Sequence, residues 1–384
     1  TNPRTIAVIA AVGNKVMRVK DTEIVDVANG SVLDANAPYI QMTPGYEKVY
    51  IADGQGYWVF DPKSTDVSAN GDVSRLVSKT YGRIPPRCRL IETYRGRLVL
   101  GRDPADPGRW HMSAIGDPNN WDTFPQIPSA SQAASWSSSK AGLVPDIINA
   151  MVPWNDDAML FGGDKSIWQL SGDPMAGGVL DLVTDETGMS FGRPYCKDPS
   201  GILWFFGSTG GLYRMIPGEI PQRASLGRVE RQLREIDLST YYIRLQWNQI
   251  DEGVHILQIP FGAGGAIVDQ WFYEAKADAF HKDKFGSLAT HLIQPTAVIR
   301  LDGDASSDRT MLMGCEDGRI RRWGRDSAGA IPKSDEQTTT ANLAIDSYIL
   351  VGPLVNSPTQ AAQQLTELDA VLSSSQQGCN FEIF

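Results

Sequence analysis

The sequence predicts an all-β fold: a β-propeller of about seven four-stranded blades, with loop insertions and one short helix. Three observations lead to this prediction. The chain of 384 residues contains 37 Gly, 23 Pro and 10 Trp, a composition that favours short strands joined by tight turns. A strand–turn–strand unit recurs six times. Equivalent positions in successive units lie 47, 62, 46, 50 and 57 residues apart, and a period near 50 with four strands per unit is typical of propeller blades.

The recurring unit is an apolar strand, a Gly-containing turn and a second apolar strand, which together predict a β-hairpin. The six copies span residues 49–60, 89–100, 159–170, 202–215, 255–273 and 311–323. The equivalent positions are Ile51, Leu98, Leu160, Phe206, Ile256 and Met313. An aromatic residue follows the turn in five copies, namely Trp58, Trp168, Tyr213, Trp271 and Trp323. Because aromatic rings bury a large area, we expect them between adjacent blades. The alternative is a set of unrelated hairpins in a sandwich or in two barrels.

The two ends of the chain lie outside the six copies. Residues 4–29 and 343–384 both have strand-like patterns. We expect strands from the two termini to complete a further blade and close the ring, because closure removes exposed sheet edges. This interpretation gives a single propeller domain over residues 1–384. Candidate irregular insertions lie at residues 103–139 and 269–286.

One segment has the apolar spacing of a helix, residues 226–237. The residues on its apolar face are Leu226, Val229, Leu233 and Ile236. Glu230 and Arg234 are four residues apart, so we expect them to form an ion pair on the helix surface.

The overall composition is that of an ordinary globular protein, with 42% apolar and 21% charged residues. It excludes a disordered chain, and no apolar run is long enough for a membrane-spanning helix. Carboxylates outnumber basic residues, 45 to 35, and a net charge of −10 argues against tight DNA binding. Four dispersed cysteines, Cys88, Cys196, Cys315 and Cys379, show no zinc-ligand spacing. We therefore expect no metal and no cofactor.

No catalytic constellation is evident. The carboxylate pairs at 156–157 and 251–252 are adjacent in sequence, and adjacent strand residues point to opposite faces of a sheet. The Gly-rich segment 262–265 lies in a predicted hairpin rather than before a helix, where a phosphate loop would lie. The aspartates at 302–308 lack the Gly and Glu of an EF-hand. There is no Gly-x-Ser-x-Gly sequence. The sequence therefore predicts no catalytic residues.

The most specific string is His-Met-Ser-Ala-Ile-Gly-Asp-Pro-Asn-Asn-Trp-Asp at residues 111–122. It contains the motif residues Gly116, Asp117, Pro118 and Trp121. This string resembles the Ser-Ala-x-Gly-Asp-Pro-x-x-Trp stretch of the tail nozzle proteins (also called tail tubular or stabilisation proteins) of short-tailed bacteriophages. A second stretch, residues 187–215, is similar to the same family. Its motif residues are Gly210, Gly211 and Tyr213.

The resemblance implies a structural virion protein rather than an enzyme. It implies a homohexameric ring at the distal end of a phage tail, docked on a tail adaptor protein, in contact with tail fibres in some phages, and surrounding the channel through which genomic DNA is ejected. An acidic channel would let DNA pass without being held at its phosphates. Two alternatives stay open: a propeller enzyme that acts on glycans, and a cellular propeller adaptor that binds a peptide or protein.

Overall fold

Seven antiparallel sheets, each formed by one continuous segment of the chain, make a seven-bladed β-propeller. The computed structural model describes residues 7–20, 23–27, 30–64, 70–78, 82–262, 268–283, 285, 294–302, 309–316 and 318–323, and the backbone of 334–338 and 341–344. The predicted propeller fold is therefore confirmed.

The strands follow one another in chain order around the ring. Blade 1 contains β1 (Val8–Val12), β2 (Lys15–Lys20) and β3 (Glu23–Asp26). Blade 2 contains β4 (Gln41–Gly45), β5 (Lys48–Ala52), β6 (Tyr57–Asp61) and β7 (Asp72–Arg75). Blade 3 contains β8 (Leu90–Tyr94), β9 (Arg97–Asp103), β10 (Asp106–Met112) and β11 (Ala134–Ser135). Blade 4 contains β12 (Ala150–Pro153), β13 (Ala158–Gly162), β14 (Ile167–Ser171) and β15 (Val179–Thr184).

The second half of the ring continues in the same way. Blade 5 contains β16 (Tyr195–Lys197), β17 (Leu203–Phe206), β18 (Leu212–Met215) and β19 (Gln222–Arg223). Blade 6 contains β20 (Tyr241–Asn248), β21 (Gly253–Pro260), β22 (Gln270–Glu274) and β23 (Ala279–Asp283). Blade 7 contains β24 (Pro295–Asp302), β25 (Arg309–Cys315) and β26 (Ile320–Trp323). A further hairpin consists of β27 (Ser334–Thr338) and β28 (Ala341–Ala344).

The hydrophobic core lies between the blades. Each of the six junctions between consecutive blades contains its own cluster of buried residues. In β5, Ile51 faces blade 1 and packs with Val16, whereas its neighbours Tyr50 and Ala52 face blade 3 and pack with Leu98. Successive strand residues point to opposite faces, so a blade in the ring buries both. This explains why the strands are apolar at nearly every position.

The six positions that we took as equivalent all lie on the second strand of a blade, from β5 in blade 2 to β25 in blade 7. The copy at residues 89–100 differs from the others, because it comprises the first and second strands of blade 3 rather than the second and third. The aromatic residue of that blade's third strand is Trp110, which the sequence analysis did not select. Trp110 is fully buried and stacks on Phe161 of blade 4, with ring centroids 6.2 Å apart.

The N-terminal strands form a three-stranded blade of their own. The strands that we expected from residues 343–384 lie outside the described residues, apart from the last two residues of β28. Residues 269–286, a candidate insertion, contain β22 and β23 and are thus part of blade 6. Residues 103–112 belong to β9 and β10, so the insertion in blade 3 is limited to residues 113–133. We call this segment the inserted loop.

The predicted helix is much shorter than expected. Helix α1 spans Glu230–Arg234, and its Leu233 is buried. Leu226 is 63% exposed, so its expected place on a buried helical face was wrong. Gly227 has a φ of +76°, which is outside the right-handed helical region, so the helix cannot extend back to Leu226. Glu230 pairs with Arg223 at 3.0 Å instead of with Arg234. The other helical element among the residues that the structure describes is a 3-10 turn at Pro174–Ala176. Among the described residues, no helix is long and apolar enough to cross a membrane.

Candidate functional site

Side chains from four blades meet around the axis of the propeller. Tyr39, just before β4 in blade 2, packs edge to face against Tyr242 of blade 6, with ring centroids 5.1 Å apart. Glu92 of blade 3 forms an ion pair with Arg193, just before β16 in blade 5. These blades are not neighbours in the ring, so such contacts can form only at its centre. We call Tyr39, Glu92, Arg193, Tyr195 and Tyr242 the axial cluster.

The carboxylate of the axial cluster, Glu92, accepts hydrogen bonds from four residues. Glu92 is 2% exposed. Its Oε1 accepts hydrogen bonds from Gln41 Nε2 at 3.0 Å, Arg193 Nε at 2.6 Å and the Tyr195 hydroxyl at 3.1 Å. Its Oε2 accepts one from the Thr43 hydroxyl at 3.0 Å. Burial of a carboxylate is costly unless it is paired in this way, and all four partners of Glu92 are groups of the protein itself.

The hydroxyl of Tyr195 is also held in place, since it contacts the Met151 carbonyl at 2.9 Å as well as Glu92. Burial raises the pKa of Tyr195 well above its ordinary value, and the negative charge of Glu92 adds to this effect. The phenol is therefore neutral at physiological pH and a poor nucleophile. The axial cluster has the chemistry of a structural contact between non-neighbouring blades rather than of a catalytic centre.

The motif at residues 116–121 forms the first turn of the inserted loop. The Gly116 amide donates to the Gly96 carbonyl at 2.9 Å, and φ of Gly116 is +75°, a conformation that favours glycine. Asp117 accepts a hydrogen bond from the Asn119 amide at 3.0 Å through its side chain, which is the usual role of Asp at the start of a turn. The turn directs the chain back toward blade 2.

Trp121 anchors the loop in the core. Its indole donates a hydrogen bond to the Pro118 carbonyl at 3.0 Å, and its ring is buried in the junction between blades 2 and 3 with Tyr57 and Leu100. Its backbone forms a β-bridge with Gly82, where an added Cβ would lie only 2.2 Å from the backbone of Trp121 and its successor. The motif therefore fixes the start of the inserted loop against two blades.

A buried ion pair fixes the rest of the inserted loop. Arg97 is 0% exposed and donates from Nε to Asp173 Oδ2 at 2.8 Å and from Nη2 to Oδ1 at 3.1 Å. Its remaining N–H groups bond to the carbonyl oxygens of Ser113, Gln132 and Ala130. Planar, bidentate pairing of this kind is specific to arginine. One guanidinium thus connects both ends of the loop to blade 4.

Between these anchors the loop exposes apolar side chains. Phe124 is 74% exposed and Ile127 is 84% exposed. Single exposed apolar residues are common on protein surfaces. Here two large ones lie three residues apart on a loop that is held at both ends, so little conformational entropy would be lost if a partner covered them. The tip of the inserted loop is the candidate interaction site of this chain.

The second motif lies in blade 5 and makes no site with the first. Gly210 and Gly211 form the turn between β17 and β18, with φ of +90° and +94°. The turn packs so closely on α1 that a Cβ on Gly210 would lie 2.7 Å from Arg234 Cα. Tyr213 is buried and stacks on Phe205, with ring centroids 5.2 Å apart. The second motif joins helix α1 to the blade.

Replacing Gly210 with Ala is therefore expected to destabilise the protein by about 2–4 kcal/mol, because a left-handed backbone and a clash with helix α1 add together. Gly218→Ala is the matched control, since φ there is +83° but no atom lies within 4 Å of an added Cβ. Gly218→Ala should lower the free energy of unfolding by about 1 kcal/mol, from backbone strain alone. Urea unfolding measures both. Equal losses for the two variants would contradict the packing explanation.

One group of His, Cys, Asp or Glu side chains in the described part of the chain could hold a metal ion, namely Cys88, Asp103 and His111. No sequence pattern indicates this group or the axial cluster. Their members are dispersed along the chain, and no spacing rule connects them. Arg97 and Glu92 are not singled out either, since a strand pattern does not indicate which charged residue is buried.

The comparisons with known proteins support the fold alone. No protein-family model matches the sequence, and no curated protein is detectably similar to it. The extracellular domain of the putative hybrid two-component system BT3049 from B. thetaiotaomicron aligns with a TM-score of 0.52 and 12% identity over 84% of this chain. The chain spans 39% of that structure's length. YCF48 bound to D1 peptide gives a TM-score of 0.47 at 12% identity, covering 82% of this chain and 88% of YCF48. The N-terminal domain of Nup159 gives 0.43 at 8% identity, covering 82% of this chain and 85% of that domain.

Proposed function

We propose that this chain is a structural subunit of a short bacteriophage tail, of the nozzle type. It assembles as a homohexameric ring that docks on a tail adaptor protein and surrounds the DNA-ejection channel. The observation that carries the proposal is the inserted loop. The string at residues 111–122 that resembles the nozzle family forms the base of this loop, and the tip of the loop exposes Phe124 and Ile127.

The filled centre of the propeller supports a particular arrangement of the channel. Contacts between blades that are not neighbours in the ring occupy the axis, among them the ion pair of Glu92 and Arg193. DNA therefore does not pass through the propeller itself. In the proposed ring the channel lies between subunits, and the net charge of −10 keeps its wall from holding phosphates.

A glycan-acting enzyme is disfavoured by the same geometry. Most glycosidases use two carboxylates about 5–9.5 Å apart, whereas the axial cluster contains the single carboxylate Glu92, which is buried and accepts hydrogen bonds from Gln41, Thr43 and Arg193. A glycan-cleavage assay tests this alternative. Glycan cleavage by the unmodified chain would contradict the proposed structural role.

Electron microscopy of the purified chain, alone and with its adaptor, tests the ring. We expect class averages with six-fold symmetry and an interface that buries well over about 1,000 Å² per pair of subunits. A chain that stays monomeric with the adaptor present, or that is absent from purified virions, would contradict the proposal. A monomer that binds a peptide or protein without ring symmetry would instead favour the cellular adaptor.

The double variant Phe124→Asp, Ile127→Asp is expected to weaken assembly at least tenfold, because it places charge in the proposed contact without touching the core. Analytical ultracentrifugation or mass photometry measures the change. Leu226→Asp, at an exposed apolar residue of blade 5, is the matched control and should assemble normally. If both variants assemble like the unmodified chain, the inserted loop is not the contact.

A further inference from the structure

Three side chains that are dispersed in sequence meet beside the junction of blades 2 and 3. Cys88 lies just before β8, Asp103 is the last residue of β9, and His111 lies on β10. Their ligating atoms all lie within 4.8 Å of one another. The distance from His111 Nε2 to Asp103 Oδ2 is 3.1 Å. A thiol, a carboxylate and an imidazole thus face a common point.

These groups have the chemistry and the spacing of zinc ligands. Zn²⁺ is bound at about 2.0–2.3 Å by Cys sulfur, His nitrogen and Asp oxygen, in tetrahedral geometry. Such bonds place neighbouring ligand atoms about 3.3–3.8 Å apart. The separation of His111 Nε2 and Asp103 Oδ2, 3.1 Å, is just below this range, and the other two separations do not exceed 4.8 Å. A small adjustment of side chains would therefore admit an ion. Soft thiolate ligation also selects against Mg²⁺ and Ca²⁺.

The surroundings hold the ligands in position. The Ala105 amide donates to Asp103 Oδ1 at 2.8 Å, which leaves Oδ2 directed at the group. The Cys88 amide donates to the Tyr57 hydroxyl at 2.7 Å, and that hydroxyl donates to the Pro85 carbonyl at 2.8 Å. Outer partners of this kind are a general feature of metal sites, because they orient the ligands.

Cys, His and Asp are also the residue types of a catalytic triad. Cys88 is fully buried, so no substrate can reach its sulfur. Burial also raises the pKa of the Cys88 thiol to about 12, so without a bound cation the group is neutral. The side chains of Asp103 and His111 are 10% and 17% exposed. A small cation and a water ligand can enter from that side.

We propose that Cys88, Asp103 and His111 bind one Zn²⁺ or a similar thiophilic divalent cation, with water as the fourth ligand. The ion would connect the segment that enters blade 3 to its second and third strands, next to the buried ring of Trp121. Binding releases the thiol proton, and the metal–thiolate bond takes the place of the S–H bond.

Cobalt substitution tests the site in the full-length chain. The protein is produced in medium supplemented with Co²⁺, and its metal content and absorption spectrum are measured. We expect one Co²⁺ per chain and a thiolate-to-cobalt charge-transfer band in the near ultraviolet. Zn²⁺ should displace the cobalt and abolish the band. A folded unmodified chain without bound cobalt and without the band would overturn the proposal.

Variants identify the ligands. Cys88→Ser should lose the charge-transfer band, whereas Cys196→Ser should keep it, because Cys196 is a buried thiol outside the group. His111→Gln and Asp103→Asn should weaken cobalt affinity at least tenfold while the sulfur still ligates. If Cys88→Ser fails to fold, these two variants decide the matter. Unchanged affinity in both, or loss of the band in Cys196→Ser, would contradict the assignment.

Discussion

Replacing Glu92 with Gln is expected to lower the free energy of unfolding by about 3–5 kcal/mol, the usual cost of removing one partner from a buried ion pair. Gln keeps the shape of the side chain but removes its charge, so Arg193 remains at the centre of the propeller without a counterion. The carboxamide also has one oxygen in place of two, so it cannot accept all the hydrogen bonds that Glu92 accepts from Gln41, Tyr195 and Thr43. Urea denaturation followed by tryptophan fluorescence measures the loss.

Glu47→Gln is the matched control for this prediction. Glu47 also forms an ion pair, with Lys63, but both side chains are largely exposed. Exposed pairs contribute little because water screens them, so we expect almost no change in stability. Equal stability of Glu92→Gln and the unmodified protein would show that the ion pair does not stabilise the contact between blades 3 and 5, and would leave Glu92 available for another role.

The second large effect is expected at Asp173. Asp173→Asn should destabilise the protein by about 3–5 kcal/mol, because it leaves the fully buried Arg97 guanidinium without its carboxylate. Asn retains an oxygen that can accept the hydrogen bond from the Met175 amide that starts the 3-10 turn. The loss therefore reports on the ion pair and not on the turn.

The same variant should loosen the inserted loop, since Arg97 also holds the carbonyl oxygens of Ala130 and Gln132. We expect faster proteolytic cleavage within residues 113–133, measured by limited proteolysis and mass spectrometry. Asp157→Asn, which removes an exposed partner of Arg95, should change neither stability nor cleavage. Stable, uncleaved Asp173→Asn protein would mean that Trp121 alone anchors the loop.

The axial cluster fills the centre of the propeller. The ion pair of Arg97 and Asp173 orders the inserted loop, which we propose as the contact with a partner. A rigid ring of blades with one anchored loop is suited to assembly, because the partner then contacts a surface that is already ordered. Loss of loop order should therefore weaken assembly in Asp173→Asn even under conditions in which the propeller remains folded.

The amino-acid sequence by itself determined the fold class and the period of the blades. A blade is a local structure because its strands are consecutive in the chain. The Gly residues of each hairpin turn and the aromatic residues that follow lie within the same short segment. Patterns over ten to twenty residues therefore located the second strand of six blades, including those that carry Ile51 and Met313. The same local information indicated the turn at Gly116, although not that Trp121 would be buried between two blades.

Only the tertiary structure decided which residues meet across the ring. Glu92 and Arg193 are 101 residues apart, and Arg97 and Asp173 are 76 apart. The apolar pattern over twelve positions did not give the extent of α1 either, since Gly227 has a left-handed backbone and the helix is limited to Glu230–Arg234. The physical reason is that hydrophobic periodicity records which face of a strand is buried, whereas the partner of a buried charge depends on how the blades are arranged around the axis.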